Sequence, residues 1–357
     1  MLQLSEHLYP LDEVVISLIQ SVISRRTVKE CLYWLLELHS SVDTTSDSLL
    51  CLYHLFFAVR NQGLDGYIHR KLRSFASTPT DITPLADIVC ALRISKPSLD
   101  TYLIWLAATS ESLPTRVFKA PPTTARFAGL IRSICRSDLS NVGAYLRVAA
   151  SSAPPCRIID DLVSHFGIPV LQTSECSEPD LIYACAMAAC SFPQGQSAKA
   201  PSNFARAPPR MVEEMVGHFK SAPQRAWSKL AHRRLYPTHT TVLGRPHGGT
   251  YARYDVEDLA LSCWHSWEYY CYDSRLWRQR FERYGGIRNE STRSVAFPDD
   301  DLLEAFYDNG NAMDFDEQPA ETQSMSLHPL EVIAEPSDWF QRQIDERLCV
   351  HLAGVRI

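Results

Sequence analysis

Apolar residues recur at intervals of three and four positions through the first 110 residues of the chain. Leu11, Val14, Leu18 and Val22 begin this pattern, and the spacing places them on one face of an α-helix. A later stretch, residues 48–61, is apolar nearly all round, which predicts a helix at the centre of a bundle. Alternation of apolar and polar positions is weak along the chain. The pattern therefore predicts an all-α fold, a multi-helix bundle.

Local capping signals place several helix ends. Thr27 followed by Glu30 is a capping box, in which the Thr side chain accepts a helix N–H. A helix is therefore expected from residue 28 to Leu38. Farther along, apolar and aromatic residues at helical spacing predict one long helix over residues 255–284, ended by Gly285. We interpret the Trp and Tyr side chains of that helix as core packing.

A stretch rich in Pro, Ser and Ala divides the chain. Residues 193–210 contain few large apolar side chains, which is typical of a linker. This linker separates a helical domain, residues 1–192, from a basic and aromatic second helical lobe, residues 211–298. The remaining residues, 299–357, are predicted to form an irregular acidic C-terminal extension that begins with a short helix.

The formal net charge of −6 conceals an uneven distribution. Residues 1–198 hold 16 basic and 18 acidic residues, a net of −2. Residues 199–298 hold 16 basic and 9 acidic residues, a net of +7, whereas residues 299–357 hold 3 basic and 14 acidic residues, a net of −11. A basic middle segment points to a polyanionic ligand. The alternative is a basic surface that docks the acidic extension or a partner protein.

Basic residues alternate with Trp, Tyr and His through the middle of the chain. Cations neutralise phosphates and release counterions, while aromatic faces can stack on exposed bases, so this composition favours contact with nucleic acid. An adjacent pair of arginines in the first domain adds to the candidates. The predicted nucleic-acid-binding residues are Arg25, Arg26, Arg225, Lys229, Arg233, Arg234, Arg245 and Arg253.

Recognisable catalytic motifs are absent from the sequence. It has no phosphate-binding G-x-x-x-x-G-K-[ST] loop, no H-E-x-x-H helix and no nucleophile elbow. We therefore predict a protein without enzymatic activity, metal or cofactor. Its eleven cysteines include no C-x-x-C pair, which is typical of buried thiols in a reducing, intracellular compartment, either cytoplasm or nucleus. No apolar stretch of about 20 residues predicts a membrane span.

Two short motifs carry a family resemblance. Residues 21–35 read SVISRRTVKECLYWL, and residues 67–77 read YIHRKLRSFAS. Across residues 11–110 the chain resembles the C-terminal helical region of the RarA/MgsA/WHIP family, whose members are clamp-loader-related AAA+ ATPases that act at stalled replication forks. The ATPase module itself is missing, and Thr78 to Asp81 replace the family's acidic turn. The resemblance implies an oligomerising scaffold near replicating DNA that serves an AAA+ ATPase or another replication protein in trans.

The working hypothesis is a non-enzymatic helical accessory or scaffold protein of DNA replication or repair. It forms a homo-oligomer and contacts DNA through its basic segment. Later segments of the chain are similar in character to stand-alone helical proteins of large DNA viruses. The alternative is therefore a viral structural or scaffold protein, located in the virion, that binds only protein partners through an exposed apolar patch.

Overall fold

A computed structural model describes most of the first hundred residues and two later regions of the chain. The described residues are 3–58, 61–98, 101, 102, 104, 130, 131, 133, 134, 141–143, 145, 146, 159, 160, 162, 204–220, 235–238 and 266–308. These residues are mostly helical, with one two-stranded sheet, so the prediction of an all-α, multi-helix fold is confirmed. No helix among them is long and apolar enough to cross a bilayer.

Five helices and one short 3-10 turn form the N-terminal part of the structure. They are α1 (Leu11–Ile23), α2 (Val28–Ser41), α3 (Thr45–Phe56), the 3-10 turn Gln62–Leu64, α4 (Asp65–Ser77) and α5 (Thr83–Ile94). The later regions add α6 (Pro209–Lys220), α7 (Trp267–Cys271), α8 (Arg275–Arg283), β1 (Ile287–Asn289), β2 (Ser294–Ala296) and α9 (Asp300–Asp308).

The first core is built around α2. Thr27 caps this helix, because its hydroxyl accepts the backbone N–H of Glu30 at 3.2 Å, as the capping box predicts. Every residue from Cys31 to Leu38 is buried, since α1, α3, α5 and α6 all pack around α2. The sequence pattern had favoured residues 48–61 as the central helix. That expectation is wrong, because α3 ends at Phe56 and exposes Cys51.

A second core joins the N-terminal segment to the later helices. Leu4 and Leu8 pack with Trp267, Trp277 and Phe281. The prediction of a single helix over residues 255–284 is wrong within the described part. Residues 272–274, between α7 and α8, are not helical. The aromatic residues of α7 are nevertheless buried, which confirms the core interpretation for them.

A short hairpin follows α8 and was not predicted. Gly285 adopts φ +73°, a conformation that side chains disfavour, and it turns the chain out of α8. β1 then pairs antiparallel with β2. The side chain of Asn289 accepts the N–H of Ser291 at 3.0 Å and closes the turn. Strands of three residues are too short for an alternating pattern to reveal them.

The start of the acidic extension folds onto the second core. Asp299 caps α9 through the N–H of Leu302 at 2.8 Å, which confirms the predicted short helix. Phe306 is fully buried, and its ring stacks on Phe281 with centroids 5.1 Å apart. An aromatic side chain therefore anchors this acidic helix to the basic and aromatic lobe. The rest of the extension lies outside the described residues.

The last residues of the predicted linker pack on the first core. Residues 204–208 and α6 pack on the first core, in which Ala207, Val212 and Met215 are all buried. The assignment of residues 211–220 to the second lobe is therefore not matched by the packing. The apolar face of α6 packs against α2 and α5. A boundary drawn from composition alone does not reveal this tertiary contact. Residues 193–203 lie outside the described part.

Candidate nucleic-acid interface

Two of the eight predicted nucleic-acid-binding residues lie in the described part of the chain. Arg25 and Arg26 are both exposed, in the turn between α1 and α2. The other six lie outside the described residues: Arg225, Lys229, Arg233, Arg234, Arg245 and Arg253. The structure therefore bears on the first arginine pair only.

The turn that carries these arginines is a Schellman motif at the end of α1. The N–H of Arg26 donates to the carbonyl of Ser21 at 2.8 Å, and the N–H of Arg25 donates to the carbonyl of Val22 at 3.1 Å. Arg25 adopts φ +54°, the left-handed conformation that Gly usually supplies at this position. An arginine here costs backbone energy, on the order of 1 kcal/mol. Such an outlier marks the side chain as a candidate for function.

Replacing Arg25 with Gly is expected to leave the free energy of unfolding unchanged or to raise it by no more than about 1 kcal/mol. Gly relieves the left-handed strain, while its greater freedom in the unfolded chain offsets part of that gain. Chemical denaturation measures the difference. A loss above about 1 kcal/mol would show that the Arg25 side chain has a structural role instead.

The end of α5 meets this turn and brings further cations. The guanidinium of Arg93 donates to the carbonyl of Arg26 and, at 3.3 Å, to the carbonyl of Arg25. The guanidinium of Arg25 donates in return to the carbonyl of Ser95 at 3.2 Å. Lys96, the residue that follows Ser95, is exposed. We call Arg25, Arg26, Arg93 and Lys96 the basic clasp.

Hydrogen bonds fix the backbone beneath Lys96. The side-chain amide of Asn61 donates to the carbonyl of Lys96 at 2.7 Å and to that of Phe57 at 2.9 Å. The hydroxyl of Ser95 donates to the carbonyl of Ala91 at 2.7 Å and closes the last turn of α5. Hydrogen bonds therefore hold in place both turns that carry the clasp, the one between α1 and α2 and the one at the end of α5.

The charges of the clasp are oriented without being neutralised. Backbone carbonyls carry no net charge, so the bonds made by Arg25 and Arg93 direct the guanidiniums and leave their positive charge in place. No hydrogen bond or ion pair occurs between the side chains of Arg26 or Lys96 and any other described residue. Two other cations of the first core are paired with carboxylates: Lys71 lies 2.5 Å from Asp87, and Lys29 lies 2.7 Å from Glu214.

Nearby thiols offer no reactive group. Burial raises the pKa of Cys31 to about 12 and that of Cys90 to about 11, so both remain protonated at neutral pH. Within the described ranges, no group of three His, Cys, Asp or Glu side chains is placed to hold a metal ion. The chemistry of this region is therefore that of clustered cations, of which Arg25, Arg26 and Lys96 are exposed and Arg93 is half-buried.

Sequence reasoning named the arginine pair as candidates but did not name Arg93 or Lys96. Neither lies in a basic run, and only the packing of α5 against the first turn brings them to Arg25. The available signal was weak: Arg93 is a cation in the last turn of a helix, where the helix dipole alone would explain it.

Comparison with known proteins adds no relative. The chain matches no protein-family model, and no curated protein or solved structure shows significant similarity to it. The resemblance to the helical region of the RarA/MgsA/WHIP family stays a prediction, carried by residues 21–35 and 67–77. Those residues lie at the end of α1, in the clasp turn, in α2 and in α4.

Proposed function

We propose that this protein binds nucleic acid through the basic clasp, by contacts to phosphate that do not depend on base sequence. The observation that carries the proposal is a group of four neighbouring cations, of which Arg25 and Arg93 donate only to neutral carbonyls among the described residues. A phosphodiester offers these side chains anionic acceptors, and no described carboxylate forms an ion pair with them.

The chemistry of the clasp suits a phosphate backbone. A guanidinium has five N–H donors in a planar fork; Arg25 uses one for a carbonyl and Arg93 uses two nitrogens. The remaining donors are available to phosphate oxygens. Four contacts of this kind correspond to a slope of about −3.6 for log K against log salt on duplex DNA.

The family resemblance supports a broader role. We propose an intracellular, non-enzymatic accessory or scaffold protein of DNA replication or repair, which oligomerises and serves an AAA+ ATPase or another replication protein in trans. These partners are proposals that rest on the two motifs of residues 21–35 and 67–77.

A second candidate function is that of a viral structural or scaffold protein with protein partners only. The observation that favours it is Ile94, which follows Arg93 and is 52% exposed. An exposed apolar side chain at that site can pack against a partner protein as well as against a deoxyribose of DNA. Under this alternative, association of the protein with its partner is insensitive to salt.

The test is the binding of a labelled DNA duplex by the wild-type protein and by the double variant Arg26→Gln/Lys96→Gln. We expect the variant to bind at least tenfold more weakly at about 50 mM salt, and its salt slope to be shallower by about 1.8, because two phosphate contacts are lost. Fluorescence anisotropy across a salt series measures both quantities.

Arg73→Gln is the matched control. Arg73 is exposed near the end of α4, which leads into the start of α5, whereas the clasp lies at the far end of α5. Removing the positive charge of Arg73 is expected to change DNA affinity less than threefold, because salt screens a charge that is distant from the clasp. Equal loss of binding in the control and the double variant would contradict a localised site, as would the absence of any binding at low salt.

A further inference from the structure

The last residues of the predicted linker, 204–208, dock on the first core as an irregular, non-helical segment. The ring of Phe204 stacks on Tyr67 of α4, with centroids 4.3 Å apart and planes 23° from parallel. Three residues later Ala207 is only 4% exposed, whereas Arg206 between them faces solvent. The segment 204–208 thus presents an aromatic and a small residue to the protein.

A buried carboxylate receives this peptide. One oxygen of Asp87 on α5 accepts the backbone N–H of Ala207 at 2.8 Å, and the other accepts the ammonium of Lys71 at 2.5 Å. Asp87 is itself almost fully buried. Buried acceptors are hydrogen-bonded in most native structures, and the peptide N–H of Ala207 supplies the partner of one Asp87 oxygen. We call Tyr67, Lys71 and Asp87 the α4–α5 surface.

This surface has the features of a peptide-recognition site. A main-chain N–H supplies one contact, and an aromatic side chain in a fixed register supplies another, as in the binding of extended peptides by other proteins. Here the bound peptide is the segment 204–208, which belongs to the same chain. The sequence before it, residues 193–203, is rich in Pro, Ser, Ala and Gln, with Phe204 as the first following large apolar residue.

We propose that the α4–α5 surface is an exchangeable site, which the segment 204–208 of a second copy of this chain can occupy. The exchanged element includes α6, which continues from Pro209 and packs on α2 and α5 of the same core. Exchange of an identical element makes a dimer without any new contact. The proposal does not involve the basic clasp and is independent of nucleic-acid binding.

The covalent attachment determines which copy binds. A tethered segment has an effective concentration in the millimolar range, so the intramolecular arrangement predominates in dilute protein. Exchange becomes favourable at high protein concentration or when the intramolecular contact is weakened. A weakened segment should therefore expose the site to an added peptide.

The first experiment uses a fluorescent peptide with the sequence of residues 201–210, PSNFARAPPR, as the probe. We expect the Phe204→Ala chain to bind it at least tenfold more tightly than the wild-type chain, whose own segment occupies the site. Adding Asp87→Ala is expected to remove that gain. The peptide PSNAARAPPR, which lacks the aromatic ring, is the matched control and is expected to bind at least tenfold more weakly.

The second experiment mixes two full-length variants and measures mass by light scattering. Tyr67→Ala/Asp87→Ala keeps the segment and loses the surface, whereas Phe204→Ala/Val212→Ala keeps the surface and weakens the segment. We expect the 1:1 mixture to have twice the mass of either variant alone. An unchanged mass of the mixture, with both variants folded by circular dichroism, would overturn the proposal. So would equal peptide binding by wild type and Phe204→Ala, a measurement that does not need the double variants.

Discussion

Replacing Glu37 with Gln is expected to lower the free energy of unfolding by about 3–5 kcal/mol. Glu37 on α2 is fully buried, and one of its oxygens accepts Nδ1–H of His7 at 2.5 Å. The other accepts the hydroxyl of Ser5 and, at 2.9 Å, the backbone N–H of His7. The substitution leaves the His7 side chain, which is 1% exposed, without its anionic partner.

An exposed pair of the same chemistry is the control. Asp65 and His69 lie 3.5 Å apart on α4 with side chains 48% exposed, and water screens their attraction. Asp65→Asn is expected to change the free energy of unfolding by less than about 0.5 kcal/mol. Denaturant titration of both variants provides the comparison. Similar small effects at the two sites would contradict the assigned role of the buried pair.

The same carboxylate makes stability depend on pH. Burial alone would raise the pKa of Glu37, but the charge of His7 and the hydrogen bonds from His7 and Ser5 outweigh it and hold the pKa below 4.5. This contribution is present above pH 4.5 and is lost as pH falls through the lowered pKa. The stability difference between wild type and Glu37→Gln is therefore expected to shrink as pH falls from 7 toward 3.

Glu6 acts in the opposite direction, and its carboxyl group is present in wild type and in the Glu37→Gln variant. Burial raises the pKa of Glu6, and the charge of Glu37 adds to that effect against the opposing charge of His7. Its contribution is present below pH 4.5 and is lost as pH rises through the raised pKa. A stability difference between wild type and Glu37→Gln that grows on acidification would contradict the assignment of Glu37 as the ionised partner.

Replacing Trp277 with Ala is expected to cost about 3–5 kcal/mol. Trp277 on α8 is fully buried, and its ring meets Trp267 edge to face with centroids 5.1 Å apart. Its indole Nε1–H donates to the carbonyl of Glu6 at 3.0 Å. The substitution therefore removes a large core side chain and a hydrogen bond to the segment that joins the two cores.

Trp277→Phe separates these two contributions. Phe keeps an aromatic ring in the core but removes the indole N–H and leaves the buried Glu6 carbonyl unpaired, at a cost of about 1–3 kcal/mol. We expect amide exchange of residues 4–9 to accelerate in this variant, because the N-terminal segment loses a tether. Unchanged exchange there, with the second core destabilised, would show that the hydrogen bond does not hold the segment.

Local signals made part of the fold predictable. The capping box at Thr27 and the acidic start of α9 each act within one helical turn, so the sequence alone locates them. The identity of the central helix did not follow from hydrophobicity. α2 is surrounded because α1, α5 and α6 converge on it, and the contribution of α6 comes from more than 160 residues away along the chain.

The candidate site was predictable to the same limited extent. Arg25 and Arg26 stand out as an adjacent basic pair, but their partner Arg93 is 67 residues distant from Arg26. The left-handed conformation of Arg25 has no sequence signal, since Gly is the residue expected there. The docking of residues 204–208 was missed for a related reason, because Ala207 binds through its backbone N–H.

The most direct test of the central claim is the salt dependence of DNA affinity for the Arg25→Gly variant beside wild type. Gly suits the left-handed turn better than Arg, so this substitution removes a cation without weakening the turn. DNA affinity therefore changes only if the Arg25 side chain contacts the DNA. We predict a slope of log K against log salt that is shallower by about 0.9, in a protein whose free energy of unfolding is not lowered. A slope equal to that of wild type would contradict the claim that the clasp binds phosphate.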